Sequence, residues 1–342
     1  MVVAPYPWQS EAAKTLNAMV DELPNAILLH GGEGTGAFDL ARAFAESLLC
    51  ESPRMDGTPC GECMGCTLVK AMTHPDLRYV LSEAFAAQAS LPYTPAEHES
   101  SDRKRRSREI RIHQIRDLSD FVVNTSHRGG RRLVLIYPAD KLGDEAAASL
   151  LKTLEEPSRG LHFLLVADDI DGVLPTIRSR ARLLRLTRPK REEALAWLKT
   201  QKVKNAEIAL AHAGGSPLSA VEPPEGMLSD KVAAGVLGLL KNPHFDVTTL
   251  YAAYSADVTP VGLSPLLSRW TVDLIRAKNG VEPYYYIDEA ETLRALANEV
   301  TLEALFAYHD DLLAMARVAD HPLFAQQVFE DKLLAYQALF ER

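Results

Sequence analysis

The chain has 342 residues, of which 47% are hydrophobic and 24% are charged, and its formal net charge is −9. A chain of this length exceeds a single domain of roughly 150 residues, and its composition is that of a folded globular protein, so a small binding module and a disordered chain are both excluded. The longest apolar runs fall far short of the roughly 20 residues that a membrane-spanning helix needs. The first residues show no basic segment followed by an apolar one, so no secretion signal is predicted and a cytoplasmic protein is expected.

Positive charge is concentrated in the middle of the chain. Residues 101–191 contain 20 Lys and Arg against 12 Asp and Glu, whereas the rest of the chain contains 17 against 34. The acidic remainder argues against a protein whose whole surface wraps nucleic acid, and the basic middle segment allows one local contact with phosphate. Much of the surplus is the run 102–108, which is typical of a solvated loop.

Short apolar runs alternate with amphipathic stretches through the first half of the chain. The runs have the length of strands, and the stretches show the three- and four-residue spacing of helices. Strands are predicted at 25–30, 77–81, 132–137, 162–167 and 182–186, and helices at 38–49, 110–123 and 144–155. The polar segment 82–108 is expected to be a flexible insertion. The alternation predicts an α/β domain with a mostly parallel sheet that helices cover on both faces.

The strand pattern stops after residue 188. Helices are predicted at 191–200 and 205–213, and nearly everything beyond residue 228 is rich in leucine and alanine at helical spacing. Segment 222–226 has the composition of a linker. Three domains are therefore predicted: an α/β domain at 1–188 with a cysteine-rich module at 50–66, a small helical domain at 189–224, and a helical C-terminal domain at 225–342.

All four cysteines lie within one stretch of 17 residues that is rich in glycine and proline. Disulfides are improbable in a cytoplasmic chain, whereas four thiolates can close around one Zn²⁺ and leave no open coordination position, which makes such a site structural. An iron–sulfur cluster also takes four thiolates, but the bacterial ferredoxin run has its fourth cysteine downstream and before a proline. The spacing favours a structural Zn²⁺ on Cys50, Cys60, Cys63 and Cys66, with a cluster or a metal-free loop as the alternatives.

A glycine-rich loop follows the first predicted strand and precedes a helix, which is the layout of a phosphate-binding loop. Gly31 and Gly36 match the two glycines of the pattern G-x-x-x-x-G-K-[ST], and Gly34 lies between them. Ala37 stands where a lysine would reach the β- and γ-phosphates, and Phe38 stands where a hydroxyl would ligate Mg²⁺. The loop is predicted to be a degenerate, silent phosphate loop, with an ordinary strand-to-helix turn as the alternative.

The third predicted strand also lacks its part of a nucleotide site. An NTPase strand of this kind ends in a carboxylate that holds Mg²⁺, but here the strand runs into Tyr137 and Pro138. Neither side chain can do that work. Two independent losses on one scaffold predict an NTPase fold without ATP hydrolysis.

The segment 140–180 resembles the bacterial clamp-loader AAA+ proteins of DNA polymerase III. The resemblance rests on LLKTLEEP at 150–157 and TIRSR at 176–180. The pair WQ at 8–9, the placement of the cysteine module after the first helix, HPD at 74–76 and GGSP at 214–217 fit it as well. It covers residues 5–220, and the last third of the chain matches only in being helical. The resemblance implies an AAA+ (RecA-like) domain, a small helical lid domain and a helical collar domain.

Within this family the chain resembles the delta-prime branch, because the tau/gamma motor subunits need the missing lysine. That branch implies an ATPase-silent stator, accessory to the DNA-directed DNA polymerase holoenzyme, which supports loading of the sliding clamp on primer–template DNA. The implied partners are the tau/gamma motor subunits and the delta subunit. The family's arginine finger falls on Arg180, which would act in trans on a neighbouring motor subunit, although Ala181 replaces the family's cysteine. Leu218 stands where hydrolysing members carry a second arginine.

Two other functions are weighed against this one. An active tau/gamma-type ATPase is opposed by Ala37, Tyr137 and Leu218 together. A DNA-binding protein that acts alone through its zinc module is opposed by the acidic balance and by the few basic or aromatic residues of the cysteine loop. For Arg180, without the family match, an ordinary surface arginine is the alternative.

Overall fold

The computed structural model describes residues 1–91, 106–128, 130–224, 226–245, 258–318 and 325–341. The chain forms two compact units, Met1–Glu193 and Ala194–Arg342. The predicted boundary at residue 188 lies close to the division between these units. The second predicted boundary, at residue 224, stays a prediction.

A five-stranded sheet forms the centre of the first unit. Its strands are β1 (Ala26–His30), β2 (Leu77–Leu81), β3 (Arg132–Tyr137), β4 (Leu161–Ala167) and β5 (Arg182–Arg185). They run parallel in the order β2-β3-β4-β1-β5. In the register, Ile27 of β1 lies opposite Leu164 of β4 on one side and Arg182 of β5 on the other. The predicted α/β fold class with a parallel sheet is confirmed.

Helices cover both faces of this sheet. They are α1 (Ser10–Ala18), α2 (Ala37–Leu49), α3 (Met64–Lys70), α4 (Glu83–Gln88), α5 (Ile112–Arg116), α6 (Ser119–Val123), α7 (Asp144–Glu155) and α8 (Pro175–Arg178). Successive side chains of a strand point to opposite faces. Accordingly Ile27 and Leu29 pack in one core with Phe44 of α2, and Leu28 packs in the other core with Leu150 of α7.

The prediction that residues 82–108 are a flexible insertion is wrong for its first part. Ser82 directly follows β2 and caps α4: its hydroxyl accepts the backbone N–H of Phe85 at 3.3 Å. Ala84 and Ala86 of that helix are buried. A capping serine followed by alanines is a helix signal. The prolines further along the segment favoured a loop for the whole of residues 82–108, so this helix was not predicted. Residues 92–105 lie outside the described residues.

The helix predicted at 110–123 is divided in the structure into α5 and α6. Ile110 is not helical, because its backbone forms an isolated parallel bridge with Leu142. Between the two helices the N–H of Leu118 bonds to Ile115 at 3.1 Å, a tighter turn than an α-helix makes. Ile115, Leu118 and Phe121 are buried at a spacing of three residues. The tighter turn therefore keeps the apolar side chains on one face where a straight α-helix would rotate them away.

The regular secondary structure in the described part of the second unit is helical, as predicted. The helices are α9 (Arg191–Thr200), which begins in the first unit, α10 (Ala206–His212), α11 (Pro217–Val221), α12 (Asp230–Leu240), α13 (Pro260–Lys278), α14 (Ala290–Glu299), α15 (Leu302–Val318) and α16 (Ala325–Ala338). In their core, the indole of Trp270 donates to the Tyr336 hydroxyl at 2.9 Å, and that hydroxyl donates to the backbone oxygen of Leu240 at 2.8 Å. Across the described parts of the chain, no helix combines the length and the apolar character needed to cross a bilayer.

Candidate functional site

The four cysteines meet between the end of α2 and the start of α3. Cys50 directly follows α2, Cys63 is the N-cap residue of α3, and Cys66 lies in the first turns of that helix. The four Sγ atoms all lie within 4.8 Å of one another. Gly65 permits this closure, because a Cβ there would lie 2.3 Å from the backbone oxygen of Leu49. The structure thus brings together the four residues that the sequence predicted as one site.

The spacing of the sulfur atoms fits a tetrahedral metal site. The Sγ of Cys50 lies 3.8 Å from that of Cys60 and 3.9 Å from that of Cys63. A Zn–S distance of about 2.3 Å corresponds to a tetrahedron with an edge of about 3.8 Å. A disulfide requires a separation of about 2.05 Å, and the four cysteines are free. The donor set and its spacing therefore fit one closed Zn²⁺ site.

Hydrogen bonds from the surrounding chain stabilise the cysteine cluster. Cys60, Cys63 and Cys66 each donate a backbone N–H to the sulfur of the preceding cysteine, at 3.3, 3.2 and 3.4 Å. Lys70 and Arg54 donate to backbone oxygens of the same loop at 2.8 and 3.1 Å. Such donors stabilise thiolates and orient them toward a metal. The two cations also offset part of the negative charge that four thiolates carry.

Two of the thiols differ in how easily they ionise. Burial opposes ionisation of Cys63, but the N–H groups of Cys66 and Glu51 outweigh it, and the pKa of the Cys63 thiol falls to about 6. Burial raises the pKa of the Cys66 thiol above its ordinary value. A coordinating dication favours the thiolate form of each ligand. Metal binding at this cluster would therefore release protons.

The loop between β1 and α2 makes the tight turn that its glycines predict. Gly34 and Gly36 have φ values of 73° and 75°, in the left-handed region that residues with a Cβ rarely adopt. A Cβ on Gly36 would lie 2.5 Å from a ring carbon of Tyr6. A Cβ on Gly31 would lie 2.9 Å from the hydroxyl oxygen of Thr35. The two glycines of the phosphate-loop pattern are therefore required here by close packing.

The N-terminal segment lies against this glycine loop. The indole of Trp8 and the side-chain amide of Gln9 both donate to the backbone oxygen of Thr35, at 3.0 and 2.9 Å. The hydroxyl of Tyr6 donates to Asp39 in the first turn of α2 at 2.9 Å, and its ring stacks on Trp8. The WQ pair noted in the sequence thus fixes the loop to the start of the chain.

Aromatic rings occupy the two positions that would ligate Mg²⁺ in a working NTPase. The ring centroids of Phe38 and Tyr137 lie 5.5 Å apart. Phe85 of α4 packs against both rings, with centroids 4.8 Å from Phe38 and 4.5 Å from Tyr137. Mg²⁺ is held by oxygen ligands in near-octahedral geometry. This aromatic cluster of Phe38, Phe85 and Tyr137 offers one phenolic oxygen, and that hydroxyl already has a partner.

The partner is Asp168, which directly follows β4. The Tyr137 hydroxyl donates to its Oδ2 at 2.7 Å, and the N–H of Asp168 donates to Oδ1 of Asp140 at 3.0 Å. Burial raises the pKa of Asp168 to about 7; the hydroxyl of Tyr137 opposes this change, and the charge of Asp140 adds to it. A carboxyl group beside the aromatic cluster therefore exchanges its proton near neutral pH.

Arg180 lies in the turn after α8, and its side chain is exposed. Its Nη2 pairs with Oε1 of Glu155 at 2.6 Å. Its Nη1 donates to the backbone oxygen of Thr176 at 2.9 Å and to the hydroxyl of Ser179 at 3.3 Å. Arg180 is therefore oriented by contacts within its own chain, and Glu155 at the end of α7 is the acidic member of that set.

Arg180 and the glycine loop lie at opposite ends of neighbouring parallel strands. β5 begins at Arg182, which pairs with Ile27 near the start of β1. The glycine loop begins at Gly31, after the other end of β1. Parallel strands start at the same edge of a sheet, and each residue advances about 3.3 Å. The length of β1 therefore separates Arg180 from the glycine loop of its own chain.

Three residues of these sites were not predicted from the sequence. Phe85 falls in the segment expected to be an insertion, although Ser82 and Glu83 before it have the pattern of a helix start. Glu155 and Asp168 gain their roles through contacts between elements that are distant in the chain. No local pattern identifies such contacts.

Comparison with known proteins identifies the family. The sequence model described as "DNA polymerase III, delta subunit" matches residues 8–190. DNA polymerase III subunit delta' of Pseudomonas aeruginosa is 34% identical over 272 residues, which are 78% of this chain and 75% of that protein. The subunit delta' of Escherichia coli is 27% identical over 319 residues, which are 90% of this chain and 87% of that protein.

Solved structures include a DNA polymerase III gamma subunit-related protein of Thermotoga maritima, with a TM-score of 0.39 and 17% identity, covering 96% of this chain and 99% of that one. The sequence matches carry the assignment, and the parallel sheet with its helices agrees with the AAA+ fold that the resemblance implied. The chain belongs to the clamp-loader delta' subunit family of DNA polymerase III.

Proposed function

We propose that this chain is an ATPase-silent stator of the DNA polymerase III clamp loader, which supports ATP-dependent loading of the sliding clamp on primed DNA. The observation that carries the proposal is the aromatic cluster. Phe38 and Tyr137 stand at the two positions that hold Mg²⁺ in hydrolytic loops, and they contact each other and Phe85. The chain thus has an apolar contact where hydrolysis requires a cation.

The lysine and the Mg²⁺ site that this chain lacks would both serve the phosphoryl-transfer step. In P-loop NTPases a lysine and a Mg²⁺ ion neutralise the charge that develops on the transferred phosphoryl group. This chain has Ala37 at the lysine position, and the aromatic cluster at the Mg²⁺ position. Both electrostatic contributions are lost together. Residual contact of Gly31, Gly34 and Gly36 with a nucleotide would therefore not lead to hydrolysis.

Arg180 is the proposed arginine finger for a neighbouring motor subunit. It is exposed, it is held in a defined orientation, and it lies at the end of the sheet away from its own glycine loop. A guanidinium supplied in trans to the γ-phosphoryl group contributes about 10³–10⁵ in rate in systems where it has been measured. The position of Arg180 favours action on another subunit over action in its own chain.

The cysteine cluster is proposed to hold one structural Zn²⁺. Cys50, Cys60, Cys63 and Cys66 would supply all four ligands, so the ion would have no position for water or substrate. When bound, the ion would link the end of α2 to the start of α3. The cysteine module would then have a structural role in the first unit and no catalytic role.

The proposed partners are the tau/gamma motor subunits and the delta subunit, with the sliding clamp and primer–template DNA reached through the assembled complex. The family membership supports this set, and residues 225–342 are the proposed collar domain. The proposed location is the cytoplasm, where bacterial replication takes place.

The experiment that tests this function is ATP turnover with and without partners. The isolated chain should hydrolyse no more ATP than a buffer blank, and adding it to a motor–delta assembly should restore clamp- and DNA-stimulated turnover. Turnover by the isolated, contaminant-free chain would instead favour the active tau/gamma-type ATPase. A salt-dependent affinity for DNA by the isolated chain would favour a DNA-binding protein that acts alone.

A further inference from the structure

We infer that Glu155 is a positioning residue for Arg180, an inference that rests on the proposed trans role of this arginine. Glu155 is the last residue of α7, and Arg180 lies beyond the end of α8. The ion pair between Glu155 Oε1 and Arg180 Nη2 measures 2.6 Å. It joins two residues that are 25 positions apart in the chain and fixes one side of the guanidinium group.

The other contacts of Arg180 hold the same side chain from its own turn. Nη1 donates to the backbone oxygen of Thr176 at 2.9 Å and to the hydroxyl of Ser179 at 3.3 Å. A guanidinium has five N–H groups arranged in one plane. Both hydrogen bonds come from Nη1 and the ion pair is made by Nη2, so within the described part of the chain the neighbouring Nε and Nη2 groups donate no further hydrogen bond. Adjacent N–H groups of this kind form the fork that binds phosphate oxygens in a bidentate way.

The ion pair is too exposed to be explained by stability. The side chains of Arg180 and Glu155 are 36% and 50% exposed. Exposed pairs of this kind contribute little to the free energy of unfolding, because water screens them and two flexible side chains must be ordered. The contact therefore has its main consequence for the orientation of the guanidinium. An arginine that is ordered before docking loses less conformational freedom when it reaches a neighbouring nucleotide.

The same turn contains a matched pair that lacks this role. Arg178 Nη1 pairs with Asp171 at 3.3 Å, and Asp171 is 85% exposed. Both pairs join an arginine of the TIRSR motif to an acidic residue on a neighbouring element. Replacing Asp171 therefore removes a comparable charge close to the same turn while leaving the contacts of Arg180 intact. Asp171→Asn is the control for Glu155→Gln, which keeps the shape of the side chain and removes its charge.

The experiment measures clamp- and DNA-stimulated ATP turnover of the complex assembled from motor subunits, delta and each variant of this chain. The variants are Glu155→Gln, Glu155→Asp, Asp171→Asn, Arg180→Ala and the double variant of Glu155→Gln with Arg180→Ala. Glu155→Gln should lower the maximal turnover that depends on Arg180 by about three- to tenfold, which is the range expected for losing the order of one long side chain. Glu155→Asp should restore part of it, and Asp171→Asn should match the unmodified chain.

The double variant is the decisive comparison. If Glu155 acts through Arg180, Glu155→Gln should have no further effect once Arg180 is alanine. The same fold-loss in both backgrounds, or full turnover with Glu155→Gln while Arg180→Ala is impaired, would overturn the inference and leave the finger role intact. A neutral Arg180→Ala would overturn the proposed function and the inference with it. Zinc content and thermal unfolding of each chain establish that the variants are folded.

Discussion

The ring of Phe38 lies 5.5 Å from the ring of Tyr137, and Phe85 packs against both. Phe38 lies in the first turn of α2, Tyr137 is the last residue of β3, and Phe85 lies in α4. The start of α2, the end of β3 and α4 therefore meet through apolar contacts. Phe38 and Tyr137, which are far apart in the sequence, are thus members of one packed cluster.

Restoring the phosphate-loop residues should not restore hydrolysis. The double change of Ala37→Lys with Phe38→Thr supplies the lysine and the hydroxyl, but Tyr137 still stands where the Mg²⁺ carboxylate is needed. ATP turnover of the isolated variant should equal that of the unmodified chain and of a buffer blank. Removal of the Phe38 ring should also destabilise the first unit by about 2–4 kcal/mol, as other large-to-small core changes do. Measured turnover above the blank would contradict the role assigned to Tyr137.

Gly36→Ala should destabilise the first unit. The residue has a φ of 75°, and a Cβ there would lie 2.5 Å from the ring of Tyr6. The backbone conformation alone costs a residue with a Cβ roughly 1–2 kcal/mol, and displacement of the ring adds to it. Gly130→Ala is the matched control, because its Cβ would meet no atom within 4 Å. Denaturant unfolding checks the prediction, and equal midpoints for the two variants would count against it.

The stability of the protein should depend on the protonation of Asp168. Its pKa is about 7 in the folded chain against an ordinary value of 3.8, so the folded state binds this proton more tightly than the unfolded state. The contribution of Asp168 to the free energy of unfolding therefore falls as pH rises between about 4 and 7 and stays low above that range.

Asp168→Asn should remove this contribution. The variant should unfold with a free energy about 1–3 kcal/mol higher than the unmodified chain at pH 8, and with little difference at pH 4. Denaturant unfolding at both pH values measures the effect, with the exposed Asp171→Asn as the control. If the free energy of unfolding depends on pH in the same way for Asp168→Asn and the unmodified chain, burial of this carboxyl does not affect stability.

Zinc should be bound in one equivalent per chain and should depend on each cysteine. Cys63→Ser removes one of four ligands, so the purified variant should contain less than about half an equivalent of zinc. The sheet should stay folded, because its two cores are built from strands and helices outside the cysteine loop. Elemental analysis measures the metal, and Glu62→Gln in the same loop is the control. Iron in the unmodified protein would favour the iron–sulfur alternative.

The central strands β1, β3 and β4 and their pairing class could be predicted because these strands are buried on both faces. Such strands are apolar over most of their length, as in residues 133–136 and 163–167, and that signal is local. The cysteine cluster could also be predicted, since its four cysteines lie close together in the chain. The glycine loop could be predicted because its strand, turn and helix follow one another directly in the chain.

The remaining features depend on contacts between distant residues. The sequence shows Phe38 and Tyr137 as two losses, but not that Phe85 joins them, because α4 lies in a segment dominated by prolines and charges. It shows Arg180 in a motif, but not its pairing with Glu155, which depends on how α7 and α8 pack. The bridge of Ile110 to Leu142 keeps Ile110 out of α5, and the tight turn at Leu118 separates α5 from α6. Helical spacing alone does not reveal such a bridge.

The most direct test of the stator role is clamp- and DNA-stimulated ATP turnover by a motor–delta assembly completed with either the unmodified chain or Arg180→Ala. The unmodified chain should restore turnover while showing none alone. Arg180→Ala should assemble equally well and keep its zinc, because its side chain is exposed. It should nevertheless lose turnover at the adjacent motor site, by up to the factor of about 10³–10⁵ that arginine fingers contribute, with clamp loading as the sharper readout. Arg180→Lys should rescue poorly. Clamp loading by Arg180→Ala at the rate of the unmodified chain would contradict the account.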